Sequence, residues 1–171
     1  MARETEMDQE RLSRFSALYD QYATDVLRVC YYYLKDKSRA EDVTQEVFLK
    51  LLTSDPVLEA GKEKAWLLKV ALNRCRDLWR SGWLKRMVQQ SPAFELYPAP
   101  DDISRSDEQS FVLTAISRLA PSFKEVILLF YYQNYSIQEI SELLGLPEGT
   151  VTSRLSRARE KLKGIMEEEL E

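Results

Sequence analysis

Residues 135–164 read YSIQEISELLGLPEGTVTSRLSRAREKLKG, two amphipathic segments parted by Gly-Leu-Pro, and no other stretch restricts the fold so tightly. In the first segment Ile137, Ile140, Leu143 and Leu144 share one helical face, opened by Ser136 with Glu139 three residues on, the pattern of a capping box. Gly145 stands where a left-handed residue closes a helix. Pro147 suits the first position of the next helix, where its missing amide proton costs nothing. The second segment carries Val151, Leu155, Ala158 and Leu162 at spacings of four, three and four. A helix, a short Gly-bearing turn and a second amphipathic helix form a helix-turn-helix.

At about 100° per residue, Ser153, Ser156 and Arg157 point away from that apolar stripe, with Thr152 and Arg154 on its flanks. Short hydroxyls plus Arg suit entry into a major groove, because Arg pairs with guanine through two hydrogen bonds and Ser or Thr reaches bases or phosphates. Arg159 and Lys163 are better placed for backbone phosphates. The plainer alternative is a solvated charged helix in an ordinary bundle. The Gly-Leu-Pro turn and the scarcity of acids on that face favour a DNA-reading helix.

Helical periodicity also runs through the N-terminal half. Phe15, Leu18, Tyr19, Tyr22, Val26, Leu27, Cys30, Tyr33 and Leu34 recur at three- and four-residue intervals. A second helix is expected to open at Ser38 with Glu41 as a capping box, to bury Val43, Val47, Phe48, Leu51 and Leu52, and to end at Ser54-Asp55-Pro56. A third runs from about Lys62 to Trp79 and stops at Gly82. Helices resume from about Glu108 to Leu119, and Ser122 with Glu125 marks another start ahead of the run VILLFYY. No stretch alternates with period two, so the expected class is all-α. Between them, Pro92, Pro98 and Pro100 with Asp101, Asp102 and Ser104 read as an extended linker, too long for a loop inside one compact domain. The expectation is two small helical domains, 1–82 and 108–171, joined by a flexible linker at 83–107.

A net charge of −4 argues against nucleic acid only if charge is spread evenly, and it is not. Lys62 to Arg86 holds eight Lys/Arg against Glu63 and Asp77, and Thr150 to Gly164 holds five against Glu160. Screening confines each charge to about 8–10 Å, so such patches, not the total, decide phosphate contact. The chain has no His, no Gly-rich phosphate loop and no metal-ligand cluster. No catalytic residue, metal site or cofactor is therefore expected, and the chain does not read as an enzyme. Cys30 and Cys75, isolated on apolar faces, read as buried reduced thiols. No apolar run reaches the roughly 18 residues that a membrane span needs, and the charged opening segment lacks a signal-peptide core. The expected location is the cytoplasm, without membrane insertion.

Asp42, Gln45 and Glu46 sit at spacings of three and one, on the face opposite Val43, Val47 and Leu51. This is either a solvated polar face or a docking surface for a basic partner through charge-assisted hydrogen bonds. Trp66, Trp79 and Trp83 interleave with Lys69, Arg74, Arg76 and Arg80. Aromatic and basic side chains together bind single strands, since bases stack while cations follow phosphates; the alternative for each Trp is core packing.

The order FSALYDQY, AEDVTQEVFLKLL, AWLLKVALNRCRDLWR, a linker, then LAPSFKEVILLFYYQNYSIQEISELLGLPEGTVTSRLSRAREKLK resembles a bacterial RNA polymerase sigma factor of the small extracytoplasmic-function (ECF) type. The likeness runs from about Phe15 to Lys163. It implies that Asp42, Gln45 and Glu46 dock on the β′ clamp helices of core polymerase. It implies that Asn73, Arg74, Arg76, Asp77 and Arg80 lie in the segment that melts and captures the minus-ten element. Asp77 falls at a loop position where some relatives carry Asn against a flipped-out base; ionised Asp accepts hydrogen bonds but cannot donate them, which alters the expected base preference. Thr152, Ser153, Arg154, Ser156 and Arg157 match the minus-thirty-five readers. The implied partners are core RNA polymerase (β′ clamp helices and β flap), promoter DNA and an anti-sigma factor. A stand-alone helix-turn-helix regulator is the alternative function, and it predicts tight duplex binding without polymerase.

Overall fold

The computed structural model describes residues 1–82 and 107–171. Among these residues there are seven α-helices and no strand: α1 (Ala2–Leu34), α2 (Lys37–Ser54), α3 (Glu63–Arg80), α4 (Asp107–Ser117), α5 (Pro121–Ile127), α6 (Ile137–Leu144) and α7 (Glu148–Leu170). A π-helical turn, Leu128–Tyr132, continues α5. The all-α expectation holds. The expected linker, apart from Asp107 at the start of α4, lies outside the described residues, as does Trp83.

Helices α1, α2 and α3 pack on one another around Val26 and Cys30, Val47 and Phe48, and Leu67, Leu68 and Leu72. The second helix starts one cap earlier than its sequence implies. Asp36, not Ser38, is the N-cap, its Oδ1 accepting the Arg39 N–H at 3.0 Å. A carboxylate at that position also meets the positive end of the helix dipole, which a hydroxyl does not, and Ser38 falls inside the first turn. At the other end Asp55 adopts φ 41°, and the expected stop at Ser54-Asp55-Pro56 is observed. Arg11 and Arg14 of α1 reach across to that end. Arg14 bonds the Pro56 carbonyl at 3.2 Å, and Arg11 bonds those of Leu52 and Thr53. Cations at a helix C-terminus complement its dipole, so these contacts tie α1 to the foot of α2.

The expected cap at Ser122 is also absent. Pro121 occupies the first turn, which moves the N-cap to Ala120, and no side chain caps the helix. Glu125 is freed from that role and is buried instead against α3. Between α6 and α7, Gly145 takes φ 66° and its N–H bonds the Ser141 carbonyl, as the sequence implies. Pro147 is the N-cap of α7 rather than its first residue, and its carbonyl accepts the Thr150 and Val151 N–H groups at 3.0 and 3.1 Å. A Cβ built on Gly145 meets nothing within 4 Å, so replacement strains the backbone alone. Gly145→Ala is expected to cost about 1–2 kcal/mol in a denaturation experiment, the penalty for a left-handed non-glycine residue.

The two groups of helices meet. α4 packs on α1, and α5 and α6 lie against α3. This explains an unusual run in α1, where Val29, Cys30, Tyr31, Tyr32, Tyr33 and Leu34 are all buried. A helix that is covered on every side has no polar face. Here α3 and the C-terminal helices together supply the cover.

Lys124 lies at this junction with 0% of its surface exposed. Its Nζ donates to the Tyr33 carbonyl at 2.9 Å and sits 4.3 Å from the Trp79 ring centroid and 4.7 Å from that of Tyr33. Burial pushes its pKa down from 10.5 to about 7. The folded state thus binds fewer protons than the unfolded state above pH 7, and stability rises with pH there. Below about pH 7 both states carry the proton and the full cost of burying the charge is present. Cys75 works in the opposite sense: burial raises its thiol, so it costs stability once the unfolded thiol ionises above about pH 8.5. The denaturation midpoint is therefore expected to rise between pH 7 and 8, and a fall across that interval would refute the assignment.

Candidate functional site

Three surfaces carry the residues singled out by sequence. The first is the outer face of α7. Val151, Leu155 and Ala158 are fully buried and Leu162 packs beside them, which fixes the rotation of the helix. Ser156 and Arg157 are exposed as expected and so is Thr152 of the flank, whereas Ser153, expected to point outward, is half-buried, as is Arg154. The Thr152 hydroxyl donates to the Glu148 carbonyl at 3.1 Å and keeps its lone pairs free to accept. Ser136 caps α6 as the sequence implies: its Oγ accepts the Glu139 N–H at 3.1 Å, and the Glu139 carboxylate accepts the Ser136 N–H at 2.9 Å. That box sets the start of the helix that supports α7.

Arg159 is exposed but held. Its Nε donates to the Tyr131 hydroxyl at 2.5 Å, and its guanidinium lies 5.5–5.9 Å from the Tyr131 and Phe130 ring centroids. The π-helical turn presents these two rings, with the Gln133 N–H bonded five residues back to Leu128. Nothing in the sequence periodicity marks a π turn, so this anchoring of Arg159 was not legible. Lys163 is exposed and lies 3.9 Å from Glu167. Beside them Val112, Ile116, Ile127, Leu162 and Met166 line an apolar groove of about 440 Å³.

The second surface is the outer face of α2, where Asp42, Gln45 and Glu46 are all exposed. Val43, Val47 and Phe48 are buried beneath them. Glu46 accepts a hydrogen bond from Arg74 Nε of α3 at 2.6 Å, and this pairing holds the Arg74 guanidinium charged.

The third is α3. Asn73, Asp77 and Arg80 are exposed and Arg74 and Arg76 half-buried. Asp77 stands within the helix and not in a loop, because α3 runs on to Arg80 before Gly82 turns left-handed at φ 76°. Arg76 bonds Asn73 Oδ1 at 3.3 Å and pairs through Nε with Glu125 of α5 at 2.9 Å. Trp66 and Trp79 both pack partly against the core. Cys30 and Cys75 are buried free thiols. Sequence reasoning missed the Lys124–Glu125 pair. Its signal was two adjacent charges inside the apolar stretch from Phe123 to Phe130, a placement unlike that of a solvated face.

An all-helical fold that ends in a helix-turn-helix and sets a polar face beside a Trp/Arg-bearing helix is that of a sigma-70-type initiation factor. The Sigma-70 region 2 family model matches residues 18–85, and the Sigma-70 region 4 model matches residues 112–162. The chain belongs to the ECF RNA polymerase sigma factors. It is 32% identical over 157 residues to ECF RNA polymerase sigma factor SigL of Mycobacterium tuberculosis, spanning 89% of this chain and 88% of that one. It is 30% identical over 161 residues to ECF sigma factor SigM of Bacillus subtilis, spanning 86% of this chain and 92% of that one. In fold it is similar to the sigma factor RpoE of Bartonella quintana, solved with the anti-sigma factor NepR (TM-score 0.62, 24% identity, 95% of this chain and 97% of that one). It is similar also to CnrH, solved with the cytosolic domain of CnrY (TM-score 0.63, 23% identity, 90% and 87%). The chain is therefore a factor that directs RNA polymerase to promoters, and the stand-alone regulator is not favoured. The family is a non-catalytic one. Among the described residues no helix is long and apolar enough to cross a membrane.

Proposed function

We propose that this factor grips a promoter at two points while seated on core RNA polymerase. Its division would be residues 1–82 for polymerase docking and the minus-ten element, 83–107 as linker, and 108–171 for the minus-thirty-five element. In this reading Thr152, Ser153, Arg154, Ser156 and Arg157 face the upstream duplex, and Arg159 and Lys163 meet its phosphates. The supporting observation is the rotation of α7, whose buried Val151–Leu155–Ala158 stripe leaves Thr152, Ser156 and Arg157 outward. Asp42, Gln45 and Glu46 dock on the β′ clamp helices, and the C-terminal helices meet the β flap. Asn73, Arg74, Arg76, Asp77 and Arg80 hold the melted minus-ten strand. Neither half need bind DNA tightly alone, since polymerase fixes their separation and each raises the effective concentration of the other. Melting needs no catalytic group, only preferential binding of the open strand.

An anti-sigma protein is a further partner in this reading, as the similar sigma factor RpoE was solved in complex with the anti-sigma factor NepR. The chain works in the cytoplasm, where polymerase and promoter are. Transcription in vitro with core enzyme from the source organism, on a library of its genomic fragments, tests the assignment. Defined start sites are expected only when the factor is added. A factor that neither binds core enzyme nor starts a transcript would overturn it.

A further inference from the structure

The junction between the two halves of the molecule is largely apolar, but it encloses a small set of charged side chains. Glu125 of α5 has a side chain only 3% exposed and pairs with Arg76 of α3. Its neighbour Lys124 is wholly buried between the Trp79 ring of α3 and the Tyr33 ring and carbonyl of α1. Lys62 and Glu142 add a rim pair at 3.6 Å, and the Tyr32 and Tyr132 rings meet at 5.8 Å. A buried ion pair gains little over its desolvation cost, because both charges recover full hydration when released. Large apolar interfaces between parts of one chain resist separation, so this enclosed charged set is where the junction is weakest.

The groups engaged there matter. Arg76 and Trp79 lie on the basic aromatic helix, and the Glu125 carboxylate bonds Arg76 as a backbone phosphate would. We propose that Lys124 and Glu125 form an intramolecular latch that holds the factor closed and keeps Arg76 from nucleic acid until the halves separate. The proposal rests on the strand-binding reading of α3. It requires no partner protein for the closed form, and it makes core polymerase or DNA the agent that draws the latch apart. If the closed form outweighs the open one about tenfold, apparent affinity for a single strand falls about tenfold, because only the open fraction is competent.

The test uses the full chain and two variants, Glu125→Gln, which removes the charge that pairs with Arg76, and Lys124→Glu, which sets two buried carboxylates side by side. Solution scattering reports compactness, and anisotropy of a fluorescein-labelled mixed-sequence 12-nucleotide single strand reports binding. A reciprocal lock guards against a variant that fails to fold. Lys62→Cys with Glu142→Cys is bridged by a reductant-cleavable bismaleimide, the native thiols being buried. Both variants are expected to expand and to bind the strand about tenfold more tightly. The bridged chain is expected to lose binding and regain it on cleavage. Variants that stay compact with parental affinity, or a bridged chain that binds as well as the cleaved one, would overturn the latch. Expansion with no strand bound by any form would overturn the withholding of Arg76 through its premise, the strand-binding role of α3, and is recognisable as such by the scattering change.

Discussion

Replacing Phe48 by alanine is expected to lower stability by about 3–5 kcal/mol, or roughly 10 °C in melting temperature for a chain of this size. The Phe48 ring is buried, with edge contacts to Tyr19 at 4.9 Å and Phe15 at 6.2 Å between ring centroids. It is one of the buried side chains that seat α2 on the core, and the loss combines the transfer free energy of the ring with the cavity left behind. The total to draw on is only about 5–15 kcal/mol, so this one ring is a large share of it. Under the proposed role of Asp42, Gln45 and Glu46, polymerase docking should weaken too, because they ride on the exposed side of the same helix. Thermal melting followed by circular dichroism separates the two effects. A drop below about 1 kcal/mol would mean that α1 and α2 close over the gap and that Phe48 does not set the position of α2.

Arg157→Ala is expected to weaken selection of the upstream element by roughly 1–3 kcal/mol, about 5- to 150-fold, while leaving the melting temperature unchanged. Arg157 is exposed on the face opposite the α7 stripe, so its removal opens no cavity. The loss should fall on one base position, because a guanidinium that makes two bonds to guanine discriminates there and nowhere else. A uniform loss across all upstream sequences, with a shallower salt dependence, would instead place Arg157 on a phosphate. The two results are distinguished by competition with single-base variants of the promoter at several salt concentrations.

Much of this architecture is written in local pattern. The stripe Val151, Leu155, Ala158, the Ser136–Glu139 box and the turn at Gly145 are decided by residues within four positions of one another, and all three stand as the sequence implies. What failed was competition between equally plausible local choices. Ser38 and Asp36 both offer an oxygen at the start of α2, and the carboxylate prevails because it also meets the dipole. Ser122 lost its cap to Pro121, and Glu125 then found a partner 49 residues away in Arg76. Contacts of that range leave no trace in spacing. They show only as a charge out of place, as Lys124 does among Phe123, Val126 and Ile127. The same holds for the pairing of Glu46 with Arg74, which joins two motifs that the sequence presents as separate.

The six-residue run from Val29 to Leu34 bears on how mutational data for this chain are to be read. On an ordinary amphipathic helix about half the positions tolerate polar replacement, and tolerance rises and falls with each turn. Here every position is buried, so a saturation scan would show an unbroken block of intolerance with no helical rhythm. Such a block looks like a binding epitope. In this protein it marks the place where one helix is enclosed by two sets of neighbours, and the defects it produces are defects of abundance rather than of recognition.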